Sequence, residues 1–214
     1  MRQRGPDGEA VRTEPEPADA ADAADAADVA GASGVVDVRD EPDGEQVIPV
    51  HGARVGLERV VDVPPERLWD LLADVTRIGE WSPECVEAHW RDPDRGPVVG
   101  ARFTATNRFA NGGVGHVTCV VTEAARPRTF GWVVLDADDD PHRPGSAWSY
   151  ELLPADAPGR TRVRHTFVHG PGESGLTAAV REHPERGEAV VAARLAVLRR
   201  HMSTTLDRMV AAAR

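Results

Sequence analysis

The sequence predicts an α+β fold: a seven-stranded antiparallel sheet, two short helices after the first strand, and one long helix at the C-terminal end. Three observations carry that expectation. From Cys85 to residue 169, apolar and polar residues alternate over six short runs, which is the period of strands. The links between those runs are too short for parallel crossovers, so the runs form a meander. Over 188–213 the period changes. Val191, Leu195, Leu198, Met202, Leu206 and Met209 recur every three or four residues, an apolar stripe on a helix about 37 Å long at about 1.5 Å per residue.

The elements follow in chain order. Residues 53–63, with Val55, Leu57, Val60 and Val61, read as the first strand. Pro64 and Pro65 then open a helix, because proline fits a first helical turn, and Leu68, Leu71, Leu72 and Val75 share one face of it. Asp74 is placed to cap a second short helix through Ile78 to Trp81, which Ser82-Pro83 ends; Trp81 is expected under these helices or at the mouth of a cavity. The meander strands are 85–91, 100–109, 114–124, 128–136, 146–154 and 160–169. Asn111-Gly112 joins the second and third of them, a hairpin signal because both residue types tolerate positive φ. Arg126-Pro127 and Pro158-Gly159 mark later turns. Residues 170–187 form a Gly- and Pro-bearing linker with room for a helical turn at 176–182.

Composition divides the 214 residues in two. Residues 1–48 hold 13 Asp and Glu against 4 Arg, contain no aromatic residue, and repeat Asp at every third position from Asp19 to Asp28. A period of three winds the aspartates around any helix and builds no apolar stripe, so this acidic, Ala/Asp-rich tail is expected to be disordered. Residues 49–214 hold 22 acidic residues against 21 arginines and form the expected domain. A near-neutral domain lacks the basic face that tracks phosphates, so nucleic-acid binding is not expected. No apolar run approaches the roughly 20 residues of a membrane span, and the polar N-terminus shows no secretory h-region. Cys85 and Cys119 lie far apart in strand segments without a CxxC pair, which fits a reduced, cytoplasmic compartment. All 25 basic residues are arginine, a bias of high-GC, actinobacterial-type genomes.

Several segments carry a resemblance. They are Val61-Asp62-Val63-Pro64-Pro65-Glu66-Arg67-Leu68-Trp69, Asp74-Val75-Thr76-Arg77-Ile78-Gly79-Glu80-Trp81-Ser82-Pro83-Glu84-Cys85, Gly96-Pro97-Val98-Val99-Gly100-Ala101-Arg102-Phe103 and Trp148-Ser149-Tyr150-Glu151-Leu152. In these, and in element order over residues 53–212, the chain resembles the SRPBCC superfamily of helix-grip (Bet v 1/START-like) domains, and within it the bacterial polyketide cyclase/dehydrase and lipid transport branch. The resemblance implies a curved sheet wrapped around the C-terminal helix, with a hydrophobic cavity between them. Departures from the family pattern fall at Gly113-Val114-Gly115-His116 and at His165, both possible cavity positions, so no relative's ligand is carried over.

Strand alternation names the candidate cavity residues. Phe103, Asn107 and Phe109 share a face of one strand, as do Phe130 and Trp132 of another, Trp148, Tyr150 and Leu152 of a third, and His165 and Phe167 of the last. A mostly apolar pocket with a few polar groups suits a small molecule. The candidate ligand cavity is therefore Phe103, Asn107, Phe130, Trp132 and Trp148, completed by Leu198 and Met202 from the helix stripe. Asn107, Tyr150 and His165 are the polar intruders. Each reads either as a core residue with its hydrogen bonds satisfied or as a group that meets the ligand.

Catalytic motifs are thin. No HExxH, GxSxG, GxGxxG or Walker sequence occurs, and Gly172-Glu173-Ser174-Gly175 fails the nucleophile-elbow pattern. His165 and His169 share a strand face but are about 13 Å apart at about 3.3 Å per residue, too far for one zinc ion. The run from Asp136 to Asp140 lacks the spaced ligands of a calcium loop. Neither metal nor other cofactor is expected. The leading functional expectation is a module that binds a small hydrophobic or amphipathic, lipid- or polyketide-like molecule. The alternative is a cyclase, aromatase or dehydratase, with His165 as acid/base and Tyr150 or Asn107 polarising a carbonyl. A third, partner-regulatory reading rests on the acidic tail alone.

Overall fold

The computed structural model describes residues 50–213. The expected tail at 1–48 therefore lies outside the described residues. Seven strands build one antiparallel sheet: β1 (Arg54–Val61), β2 (Cys85–Trp90), β3 (Arg102–Arg108), β4 (Val114–Ala125), β5 (Thr129–Val134), β6 (Ser146–Pro154) and β7 (Thr161–His169). Their spatial order is β1-β7-β6-β5-β4-β3-β2, so the meander runs across the sheet and its last strand returns to pair with the first. Register shifts between Cys85 and Glu87 on β2, and between Val121 and Glu123 on β4, add the local bend that a wrapped sheet needs.

The edge strands β1 and β2 are joined by α1 (Pro65–Ala73), a 3-10 turn (Val75–Arg77) and α2 (Ile78–Trp81). Pro65 occupies the first turn of α1, whose apolar spacing turns Leu68, Leu71 and Leu72 into the core. The Asp74 side chain makes no backbone cap; its carboxylate accepts the Thr76 hydroxyl at 2.6 Å instead. Gly79 of α2 lies directly against β2, where a Cβ would overlap the Val86 carbonyl. Trp81 is buried, as expected, beneath the Arg77 guanidinium at 4.8 Å.

After β7, Ser174 starts α3 (Gly175–Glu182) with a capping box completed by Thr177. The long helix α4 (Gly187–Ala213) then crosses the concave face of the sheet, touching β1, α1 and α2. Leu206 and Met209 are fully buried against Leu68, Phe130 and Val163.

Three expectations are refined by the side chains. The first half of α4 buries Val190, Arg194 and Val197, whereas Val191 and Leu195 are only half-buried. The stripe is displaced by one position at Val191 and Leu195 only, since Leu198, Met202, Leu206 and Met209 are buried as the spacing predicts, and an arginine takes an inward site where a carboxylate receives it. In the β3–β4 hairpin only Gly112 has a positive φ, of 84°, while the Asn111 side chain accepts the Gly113 N–H at 2.9 Å. The turn is thus held by an Asx bond and one glycine, not by two left-handed residues. His116 is exposed and bonds Thr106, while Gly115 is buried opposite Asn107; none of residues 113–116 lines the cavity, so this departure from the family pattern is not on the cavity wall.

Candidate functional site

Strand register puts the aromatic side chains on one concave face. Trp132 lies opposite Trp148, Phe130 opposite Tyr150, and Tyr150 opposite His165. Non-hydrogen-bonded and diagonal neighbours across strands come within reach of large rings, and a continuous series results. Trp132 and Trp148 stack at 6.1 Å with planes 6° apart, Phe103 meets Trp132 edge-on at 6.4 Å, and Tyr150 stacks on His165 at 3.8 Å.

Between this face and α4 lies a cavity of about 150 Å³. Phe103, Asn107, Phe130, Trp132, Trp148, Tyr150 and His165 line it from the sheet, with Leu198 and Met202 from the helix. The structure thus gathers the nine sequence-selected positions around one space. Phe109 and Phe167 share those strand faces but are not on the wall; Phe109 lies 5.9 Å from the Arg194 guanidinium.

The wall is apolar except at two places. On the sheet, His165 is 3% exposed and neither ring nitrogen has accessible surface or a hydrogen-bond partner. Burial alone pushes its pKa down to about 3, so the ring is neutral near pH 7. Burial likewise raises the Tyr150 phenol, and the Tyr150 hydroxyl has no partner among the described residues. The Asn107 amide also has none there.

The second polar place was missed from sequence. Glu84, in the turn before β2, reaches α4 and accepts two hydrogen bonds from Arg194, at 2.7 and 3.0 Å, and a third from His201 at 3.0 Å. Burial works to raise the Glu84 carboxyl, but the His201 hydrogen bond and the Arg194 charge and hydrogen bonds outweigh it and hold the group at about 2. Glu84 and His201 both line the cavity, together with Ser82 and Thr205. The partners are 110 and 117 residues apart, so no local spacing marks them; the only hint was an arginine and a histidine seven apart on the long helix.

The cysteines are free. Burial, with smaller effects from neighbouring carboxylates, pushes the Cys85 thiol up to about 12, and burial raises that of Cys119 as well, so neither is a thiolate nucleophile at neutral pH. His169 is off the cavity wall: its Nδ1–H donates to the Gly170 carbonyl at 2.8 Å and its Nε2 accepts from Ser174 at 2.7 Å. Among the described residues, no three His, Cys, Asp or Glu side chains converge to hold a metal ion, and no helix is long and apolar enough to cross a membrane.

A wrapped sheet, a long helix and an apolar cavity between them can be set against known proteins. The family model described as "Polyketide cyclase / dehydrase and lipid transport" matches residues 52–213. The chain belongs to that family. Among solved structures, it is similar to a polyketide-cyclase-like protein of Corynebacterium glutamicum, with 25% identity and a TM-score of 0.53 over 74% of this chain and 89% of that one. It is also similar in fold to the Zhui aromatase/cyclase of Streptomyces sp. R1128, with 18% identity and a TM-score of 0.56 over 75% of this chain and 92% of that one. No curated protein matches it. Polyketide cyclase/dehydrase and lipid transport domains are helix-grip proteins, and the sheet order and C-terminal helix here are that architecture.

Proposed function

We propose that this domain holds a small, mostly apolar molecule between the sheet and α4, binding it without converting it at His165. The observation that carries the reading is the aromatic-walled cavity, lined by five large rings from the sheet and by five side chains of α4. Its size limits the occupant. Pockets for drug-sized ligands measure about 300–1,000 Å³, and a dry apolar cavity near 150 Å³ is already enough to bind a one-ring molecule. The occupant is therefore small, of one or two fused rings or a short chain.

The alternative, a cyclase or dehydratase reaction with His165 as acid/base, draws support from the family description and from the aromatase/cyclase likeness in fold. The state of His165 weighs against that assignment: a ring held neutral to about pH 3, with neither nitrogen exposed, is not a proton donor near neutrality although the ring lines the cavity.

Mass spectrometry of small molecules extracted from the purified full-length protein tests the binding reading. An Ala105→Leu variant, whose added carbons enter the cavity from β3, is the control. A compound enriched on the wild type and lost from the variant is the expected result. Equal amounts on both proteins, or none on either, would remove this reading.

A further inference from the structure

The Glu84–Arg194–His201 cluster lies at the cavity but takes no part in the aromatic wall, and its geometry fixes which nitrogen of His201 meets the carboxylate. Glu84 is ionised, so its oxygens only accept hydrogen bonds. The His201 nitrogen that meets it, Nδ1, must then carry the proton and donate. In the neutral ring this leaves the lone pair on Nε2, which has no partner among the described residues. A carboxylate that fixes the tautomer and orientation of a histidine, leaving its second nitrogen for another molecule, is a recurrent arrangement in functional sites.

The setting strengthens the contrast with His165. The His201 side chain is 30% exposed and lines the cavity, whereas the His165 nitrogens are sealed. Arg194, two helical turns earlier on α4, grips both Glu84 oxygens and so fixes the carboxylate that orients His201. Its side chain and that of Glu84 are 9% and 13% exposed, a buried ion pair retained at a desolvation cost that an apolar pair would avoid.

We propose that His201 Nε2 is the polar anchor of the cavity, accepting a hydrogen bond from an O–H or N–H donor on an otherwise apolar bound molecule, with Glu84 and Arg194 as positioning residues. The inference rests on the binding reading above and adds which polar group the occupant carries and which residue recognises it. An occupant with an acceptor alone gains nothing from this lone pair, so the cluster selects for a donor.

The test uses the full-length protein and two probes of matched shape, 2-naphthol and naphthalene, with affinities read from quenching of the cavity tryptophans. The wild type should bind 2-naphthol about tenfold or more tightly than naphthalene, the effect of one good hydrogen bond to an oriented acceptor. In His201→Leu, which offers no acceptor, the preference should fall to about one. His201→Gln, whose amide can donate to Glu84 and still offer an acceptor, should recover part of the preference. Equal affinities in the wild type, or a preference that survives in His201→Leu, would overturn the anchor while leaving cavity binding intact. Failure of both probes to bind the wild type would overturn the cavity reading, and the anchor with it. Should His201→Leu unfold, His201→Phe, which keeps a ring but offers no acceptor, takes its place: a preference for 2-naphthol that survives there would overturn the anchor.

Discussion

His165 and Glu84 are both buried beside the same cavity, yet they answer acid differently. His165 has a folded pKa of about 3 against an ordinary 6.5, so between those values the unfolded chain binds a proton that the folded chain refuses. Stability therefore rises with pH through that window, and is lost on acidification at up to about 1.4 kcal/mol per pH unit. Replacing His165 by Phe keeps an aromatic ring on Tyr150 and removes two unpartnered nitrogens. We expect a gain of about 1–2 kcal/mol at pH 7 and a flatter stability profile between pH 6 and 4, measured by urea unfolding; an unchanged profile would show that His165 is not the buried base. Glu84 acts lower down. Its carboxyl is depressed from 4.5 to about 2, so its contribution is complete above 4.5 and disappears as pH falls toward 2, on the order of 3 kcal/mol in all. Arg194→Met alone strands that carboxylate and should cost about 3–5 kcal/mol, whereas Glu84→Leu/Arg194→Met should cost much less than the two single changes together. A cycle with additive costs would mean that the ion pair contributes no coupling. At this scale the sequence was readable where chemistry follows strand alternation. Asn107, Tyr150 and His165 were identified because each interrupts an apolar face. Glu84 was not, because its significance depends on two residues a hundred positions away on another element.

Elements were more legible than residues, since each has a period that packing has no reason to disturb. The six meander strands and the C-terminal helix follow from alternation of two and of three to four, and their ends shift by only a residue or two. What failed was the rotation of α4. Apolar periodicity counted Leu195 inward, but a helix stripe is a band and not a line, and the fixed position of Glu84 draws Arg194 inward in its place. The Asn111-Gly112 dipeptide announced the β3–β4 hairpin, which is closed by one residue in the left-handed region, Gly112. The contact between α2 and β2 was not signalled at all, because a glycine in a four-residue helix looks like a weak helix former. Here its missing Cβ is what permits the approach, since any side chain would meet the Val86 backbone, which cannot swing aside. Gly79→Ala should therefore cost about 1–3 kcal/mol in a denaturant titration, although alanine is intrinsically the better helix former. A neutral or stabilising result would show that α2 moves freely away from β2.

The whole molecule is a compromise between a core and a container. Sheet, α1 and α4 enclose a core of fully buried leucines, phenylalanine and methionine, and the cavity beside it is a region where that packing was left incomplete. An unfilled apolar space forfeits dispersion contacts and destabilises the fold, at roughly 24 cal/mol for each Å³ in large-to-small core replacements. A domain selected for stability alone would fill it; a domain selected to bind would not. These pressures make opposite demands on one residue. Ala105 sits on β3 between Phe103 and Asn107, buried, with its Cβ on the cavity wall. Leucine there adds three carbons to empty space on a strand whose backbone pairs already with β2 and β4. Ala105→Leu should raise stability by about 0.5–2 kcal/mol and at the same time abolish naphthalene binding, both followed in one thermal-shift experiment with and without the probe. The wild type should gain stability from added probe by mass action, and the variant should start higher and gain nothing. If instead the variant is destabilised by several kcal/mol, the space is already closed by its walls; if it is stabilised and still responds to the probe, the molecule binds elsewhere. Only the paired outcome, a more stable protein that no longer holds the probe, identifies the gap between sheet and helix as the feature kept at the expense of the fold.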